Sequence, residues 1–395
     1  MRRSTTTTTI RSFRHRGTAA ALAAATLSGG LLLGACGSSS STSTTTTAPA
    51  GGTVAPGNAA YLAADLKAPA GTLAASGSTF VQPFFTRAFY TYTSANHGLQ
   101  INYQGVGSGA GITAFEAGTV AFAASDVPMG ATDLAKVSGP VVQVPDTLGG
   151  IAVAYNLPGV TKRVRLDGAT LAGIFTGTIT KWDAPQIAAL NPGVTLPANP
   201  IVPEVRADSS GSTYIFTDYL TSAAPTGWTL GKAKTVAWPS AAVQSPKNSG
   251  VAAAIKSTPY SIGYIELAYA IQNNFSYAAV KNKSGAFVAP SAASVAADAD
   301  QKTSVSATDF SIVDQAGAAS YPISGYSWAI LLQKQASDTT GAQVVKVLDW
   351  TTHTGGGQDV APALDYVPLP PAVQNQVRTQ LLTVTGPGGT VLLTK

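Results

Sequence analysis

The chain has 395 residues, 45% of them apolar and only 11% charged, which is the composition of a globular body long enough for two domains of ordinary size. Its formal charge of +5 does not mark a partner of nucleic acid or of an acidic surface. Arg2, Arg3, Arg11, Arg14 and Arg16 all precede Cys36, and the rest of the chain carries 19 basic against 19 acidic groups, so a ligand has to be held by a local site and not by a field over the surface.

Residues 1–35 have the parts of a secretory signal: a basic start, an apolar run from about Ala19 to Leu33 and a small-residue cleavage region. The segment ends Leu33-Gly-Ala-Cys36, which resembles a bacterial lipobox, so Cys36 is expected to be lipidated after cleavage. A transmembrane anchor retained whole is the alternative, and the run is short and rich in Ala and Gly for that role. Cys36 is the one cysteine of the chain, which excludes intramolecular disulfides and cysteine-clustered metal sites. Residues 36–69 are Ser, Thr, Ala, Gly and Pro with few large apolar groups, and they read as a tether between a membrane and a folded body.

The body begins near Gly71 with a strand, a Gly77-Ser-Thr turn and a helix in which Phe80, Phe84, Ala88, Phe89 and Tyr92 recur at helical spacing, with Pro83 in its first turn. The hydroxyls of Ser78 and Thr79 are expected to face outward from that helix start. Ile101 and Tyr103 alternate as in a strand before the glycine-rich turn at Gly105, Gly107, Gly109 and Gly111, after which Ile112 and Phe115 supply a short apolar helical face. Such a turn points free N–H groups and the positive end of a helix at an anion, and Ser108 adds a donor there. The next strand, from Val120, ends on Asp126. A carboxylate is a strange neighbour for an anion unless it accepts a proton the anion carries.

The apolar stretch Thr147 to Asn156 reads as a buried strand that could carry the chain into a second domain, and Tyr321 to Leu332 as one that could return it. Between them, the segments around Leu171, Ile179 and Ile187 look like scaffold. Ile201 to Leu220 gives a strand, then Arg206 and Asp208, then Ser209-Ser-Gly-Ser212 opening a helix with Ile215, Phe216, Tyr219 and Leu220 on its apolar face. One Gly/Ser/Thr-rich helix start is usually just a capped helix. Three of them, with one Asp and one Arg attached, point to a shared anion pocket. Ser261 to Ala270 reads as strand into helix, and the segments at 344–350 and 371–382 as closing helices.

The pieces Gly77-Ser-Thr-Phe80, Asn102-Tyr-Gln-Gly-Val-Gly-Ser108, Ala124-Ser-Asp-Val-Pro128, Arg206-Ala-Asp-Ser-Ser-Gly-Ser212 and Ile262-Gly-Tyr264 together resemble the substrate-binding proteins of bacterial Pst-type phosphate ABC importers, over essentially everything from Leu73 onward. The resemblance implies an α/β, two-lobed periplasmic-binding-protein fold of type II, with mixed sheets flanked by helices and two hinge crossings. Lobe I would comprise residues 70–152 plus 320–395 and lobe II residues 153–319. The family's ligand contacts fall on Thr79, Phe80, Ser108, Asp126, Arg206, Ser210, Gly211 and Ser212; the last position is commonly Thr in the family, which keeps the hydroxyl. Ala121 and Ala123 stand where the family often has an acidic residue and a glycine. Asp208 is expected to orient the Arg206 guanidinium.

The implied ligand is inorganic phosphate, read by donors at the three turns and by Asp126 as acceptor, which would discriminate against unprotonated sulfate. The implied partners are the permease subunits of an ABC importer with its ATPase and, through the lipid, the outer face of the cytoplasmic membrane. A monomer with no cofactor, no metal, no nucleic acid and no catalytic activity is expected. Another oxyanion is the nearest alternative ligand. Gly105-Val-Gly-Ser-Gly-Ala110 with Asp126 21 positions after Gly105 also fits a dinucleotide-binding turn of the G-x-G-x-x-A kind. Serine hydrolysis through Ser108 or Ser210 has little support, because His15, His97 and His353 are the only histidines and no G-x-S-x-G elbow is present. The same scarcity argues against a metal.

Overall fold

The computed structural model describes residues 67–394. The leader, Cys36 and all but the last residues of the tether lie outside the described residues. Within them no helix is long and apolar enough to cross a membrane.

The chain alternates strands and helices: β1 (Gly71–Gly77), α1 (Gln82–Ala95), β2 (Leu99–Gly105), α2 (Ser108–Glu116), β3 (Phe122–Ser125), α3 (Ala131–Leu134) and the long β4 (Val141–Tyr155). There follow β5 (Arg165–Leu166), α4 (Gly168–Thr176), α5 (Pro185–Leu190), β6 (Val202–Arg206), α6 (Gly211–Ala223), β7 (Val243–Ser245), α7 (Lys247–Ser257), β8 (Ser261–Glu266) and α8 (Leu267–Gln272). The last part holds β9 (Ser276–Tyr277), β10 (Ala279–Lys281), β11 (Phe287–Val288), α9 (Ala292–Ala299), β12 (Ser324–Leu332), α10 (Asp338–Thr351) and α11 (Pro371–Leu381).

Most strands join one mixed sheet in the order β2-β1-β3-β12-β4-β8-β6-β7, with β9 beside β4, while β11-β10-β5 form a small separate sheet. β1 runs parallel to β2 and β3, and β6 parallel to β7 and β8. Two short parallel groups are thus joined by long antiparallel strands. The joining strand is β4: its residues 141–150 pair with β12, and its residues 151–155 pair with β8. Helix starts at the carboxyl ends of β1, β2 and β6 therefore meet where β4 passes from one group to the other, which is where open α/β sheets place ligands.

The apolar faces read from sequence are the faces buried. On α1, Phe84, Phe85, Phe89 and Tyr92 are all buried; Phe85 stacks on Phe89 at 4.6 Å and meets Tyr103 edge-on at 5.0 Å. On α6, Phe216 lies parallel to Tyr264 at 4.6 Å, and Phe175 closes the same cluster. β4 is buried along nearly its whole length, as a strand packed on both faces must be.

The interior also holds carboxyls. Asp298 on α9 is fully buried, and burial pushes it up to about 8 against the pull of Ser324 and the Gln315 N–H. A carboxyl raised in the folded state holds its proton more tightly there than in the unfolded chain, so folding loses stability as pH rises from about 4 toward 8. Asp298→Asn is expected to raise the melting temperature by a few degrees at pH 8 and by progressively less toward pH 4. A gain that does not change between these pH values, in scanning calorimetry, contradicts this reading of Asp298.

Candidate functional site

Three chain turns converge beneath the sheet's crossing point. In the first, after β1, the Ser78 N–H bonds the Ala124 carbonyl at 2.8 Å, and the Tyr103 hydroxyl bonds the Ser78 carbonyl at 2.7 Å. The Ser78 hydroxyl donates to Asp126 Oδ1 at 2.6 Å and accepts from the Phe80 N–H at 2.9 Å. Sequence reasoning has Ser78 and Thr79 facing outward at the start of α1; both are buried, because α1 begins only at Gln82 and the turn folds in beneath it. The Phe80 ring packs in the core edge-on against Tyr366.

In the second turn the N–H groups of Val106 and Gly107 both bond the Gly77 carbonyl at 2.9 Å. Gly107 sits at φ 96°, and a methyl there would fall 2.3 Å from Asp208 Oδ2, so only glycine allows this turn to lie against the third one. Ser108 opens α2, and its hydroxyl oxygen accepts from the N–H of Asp126 at 3.4 Å and from the N–H of Gly211 at 3.2 Å. One side chain thereby ties the second turn to the end of β3 and to the third turn.

The third turn follows β6. Arg206 forks onto Asp208, Nε to Oδ1 at 2.8 Å and Nη2 to Oδ2 at 2.5 Å, with the arginine side chain only 1% exposed. The Arg206 N–H bonds the Tyr264 hydroxyl at 3.1 Å, which gives the Ile262-Gly-Tyr264 motif its role. Ser210 caps α6 by accepting from the Thr213 N–H at 3.2 Å. Gly211 lies so close to Asp126 that a methyl on it would meet Oδ2 at 2.3 Å. The Gly109 N–H bonds the Ser209 carbonyl at 3.0 Å, joining the second and third turns directly.

Ser108, Asp126 and Gly211 are thus in contact, and Thr79 and Ser212 are held by a residue that sequence reasoning missed. Asn248 is fully buried; its amide Nδ2 donates to Thr79 Oγ1 at 3.0 Å and to Ser212 Oγ at 3.3 Å. Its backbone N–H also bonds Thr79 Oγ1 at 3.2 Å, and its Oδ1 accepts from the Glu266 N–H at 3.0 Å. A signal existed: Pro246-Lys-Asn-Ser-Gly250 is a fourth polar, glycine-bearing helix start.

The hydrogen bonds fix the polarity of the site. The hydroxyl oxygens of Thr79, Ser108, Ser210 and Ser212 each accept from one or two N–H groups, so the proton of each is the part left to donate. Four hydroxyls and the Arg206 guanidinium thereby have protons left to give, and Ser108 and Gly211 hold Asp126 beside them. Burial pushes Asp126 up to about 7, against the hydrogen bond from Ser78 and the charge of Arg206. Near neutral pH it therefore exchanges readily between acceptor and donor. The Arg206 pair and the Lys247 N–H hold Asp208 below the ordinary carboxylate range despite its burial, which keeps it charged opposite the guanidinium.

The dinucleotide alternative needs the β2–α2 turn open to a pyrophosphate and Asp126 open to a ribose. Instead the Val106, Gly107 and Gly109 N–H groups are bonded within the protein, and Asp126 is 1% exposed, enclosed by Ser78 and Gly211. His353 bonds the Asp349 carbonyl at the end of α10, and His97 is exposed in the α1–β2 turn, so the two histidines are committed elsewhere than a serine nucleophile.

Residues 40–353 match the family model described as a PBP superfamily domain. The chain is 36% identical to the phosphate-binding protein PstS of Xylella fastidiosa strain 9a5c over 313 residues, 77% of this chain and 83% of the relative. To the protein of the same name from Pasteurella multocida strain Pm70 it is 37% identical over 324 residues, 80% of this chain and 92% of the relative. Among solved structures it is similar to a high affinity periplasmic phosphate-binding protein bound with phosphate at pH 8.5, at a TM-score of 0.66 and 25% identity, covering 78% of this chain and 93% of that one.

Proposed function

Because the chain belongs to the PBP superfamily and within it to the PstS phosphate-binding proteins, we propose that it binds inorganic phosphate outside the cytoplasm and delivers it to an ABC importer. The observation that carries this reading is the donor polarity of Thr79, Ser108, Ser210 and Ser212 together with the buried carboxyl of Asp126. A tetrahedral anion that still bears a proton needs many donors and one acceptor, and Asp126 is that acceptor. Phe80, Gly211, the Ser212 hydroxyl and the Arg206 guanidinium complete the set of contacts, with Asp208 orienting the arginine.

A micromolar site requires about 8 kcal/mol, whereas one exposed helix terminus contributes roughly 0.3–1 kcal/mol. Affinity therefore comes from hydrogen bonds to a charged ligand, roughly 1.5–3 kcal/mol each, and these need water excluded. Two lobes, 70–152 with 320–395 and 153–319, closing through β4 and β12 supply that exclusion. Lipid on Cys36 and the tether up to residue 69 hold the protein at the outer face of the cytoplasmic membrane, where it meets the permease subunits and their ATPase.

Calorimetric titration with phosphate and, separately, with NAD tests the reading. Saturable heat with phosphate and none with NAD is expected. Heat with NAD alone would favour the dinucleotide alternative.

A further inference from the structure

One buried carboxyl next to the site has no role in the set above. Along β4 and β12, Trp328 stands opposite Pro145 and Ser327 opposite Thr147, so Asp146 is the extra residue of a β-bulge. Bulges beside functional sites re-aim a side chain. Asp146 is fully buried; its Oδ2 lies 3.4 Å from Ser327 Oγ, and its carbonyl is fixed by the Gln358 amide at 3.0 Å. Its Oδ1 has no hydrogen-bond partner of good geometry among the described residues. The β3–β12 register, with Trp328 opposite Ser125, brings Ser327 beside Asp126 as well, and there its hydroxyl acts to hold that carboxyl ionised.

The charges around this cluster decide who carries a proton. Asp126 and Asp146 repel each other when both are ionised, and Tyr103 faces both. The nearest guanidinium, Arg206, is already forked onto Asp208. Glu266, the other buried carboxyl that Asp126 feels, is committed to capping α8 through the Ala268 N–H at 2.9 Å. Two enclosed carboxyls without a cation between them keep one proton, and burial pushes Asp146 well above the ordinary carboxylate range.

We propose that Asp146 is a positioning residue for ligand specificity: as a neutral acid it donates to Ser327 Oγ, which turns the Ser327 hydroxyl proton onto Asp126 and keeps Asp126 an acceptor. The inference rests on the phosphate reading. Without the relay Asp126 holds its proton more often, presents a donor, and accommodates an unprotonated anion such as sulfate better.

Phosphate and sulfate affinities of the full protein at pH 8 test it, read as their ratio, which a purely structural role would not move. Ser327→Ala and Asp146→Ala are each expected to narrow the phosphate preference by about tenfold or more. The double variant should narrow it no further than Ser327→Ala alone, since the two act through one link. Asp146→Asn, whose amide can still donate to Ser327, should rescue the preference. An unchanged ratio in Ser327→Ala, a substitution small enough to preserve folding even if Asp146→Ala does not, overturns the proposal, and so does Asp146→Asn behaving like Asp146→Ala. A wild-type protein that takes up no phosphate overturns the functional reading itself and is told apart in the same series.

Discussion

Asp126→Ala should narrow the preference for phosphate over sulfate by roughly tenfold to a hundredfold, the range of one hydrogen bond to a charged group. Asp126 is enclosed by Ser78, Ser108 and Gly211, and the hydroxyls of Thr79 and Ser212 accept from Asn248, which leaves their protons to donate. Sulfate sets lone pairs against this carboxylate, while phosphate offers it a proton. Because burial places Asp126 near about 7, lowering the pH below that value protonates it and removes the acceptor. The wild-type preference should therefore shrink from pH 8 to pH 6, and that of the alanine variant should change less. Competition binding at the two pH values checks both; an equal preference in the two proteins at pH 8 contradicts the role of Asp126.

Arg206→Ala should weaken phosphate and sulfate together, by roughly a hundredfold to a thousandfold, the scale expected when one partner of a buried ion pair is removed. Two losses combine. The ligand loses a planar pair of donors, and Asp208, left without its partner, presents an unbalanced negative charge beside the turn at Gly107. Arg206→Lys keeps the charge without the fork and should fall in between. Parallel titrations of the two anions read the effect, and a loss confined to one of them contradicts it.

Much of this site was legible because short-range rules govern it. Glycines at 105, 107 and 109, Ser210 before an apolar helix face, and Arg206 at the end of a strand each follow from turn geometry or capping, and the structure puts α2 at Ser108 and α6 at Gly211. β4 and β12 were visible as apolar runs because they are buried on both faces, although β12 begins at Ser324, after Tyr321 and Pro322. What was not legible depends on contacts far apart in sequence. Asn248 reaches Thr79 across 169 positions, and the polar helix start that carries it, Pro246 to Gly250, does not show locally what it reaches. Asp146 sits in an apolar strand where only the register with β12 reveals a bulge. The Gly77-Ser-Thr pattern reads as a helix start, which would turn Ser78 and Thr79 outward, whereas a buried turn precedes the helix. The two-residue strands of the small sheet carry too few side chains to show a period.

The measurement that bears most directly on a protonated anion held by donors and one acceptor is displacement of bound phosphate by sulfate from the wild-type protein at pH 8. The account predicts that sulfate in about thousandfold excess leaves phosphate in place, a demand below the roughly 10⁴–10⁵ that sites built to hydrogen-bond their ligand can reach. Displacement at comparable concentrations would contradict it.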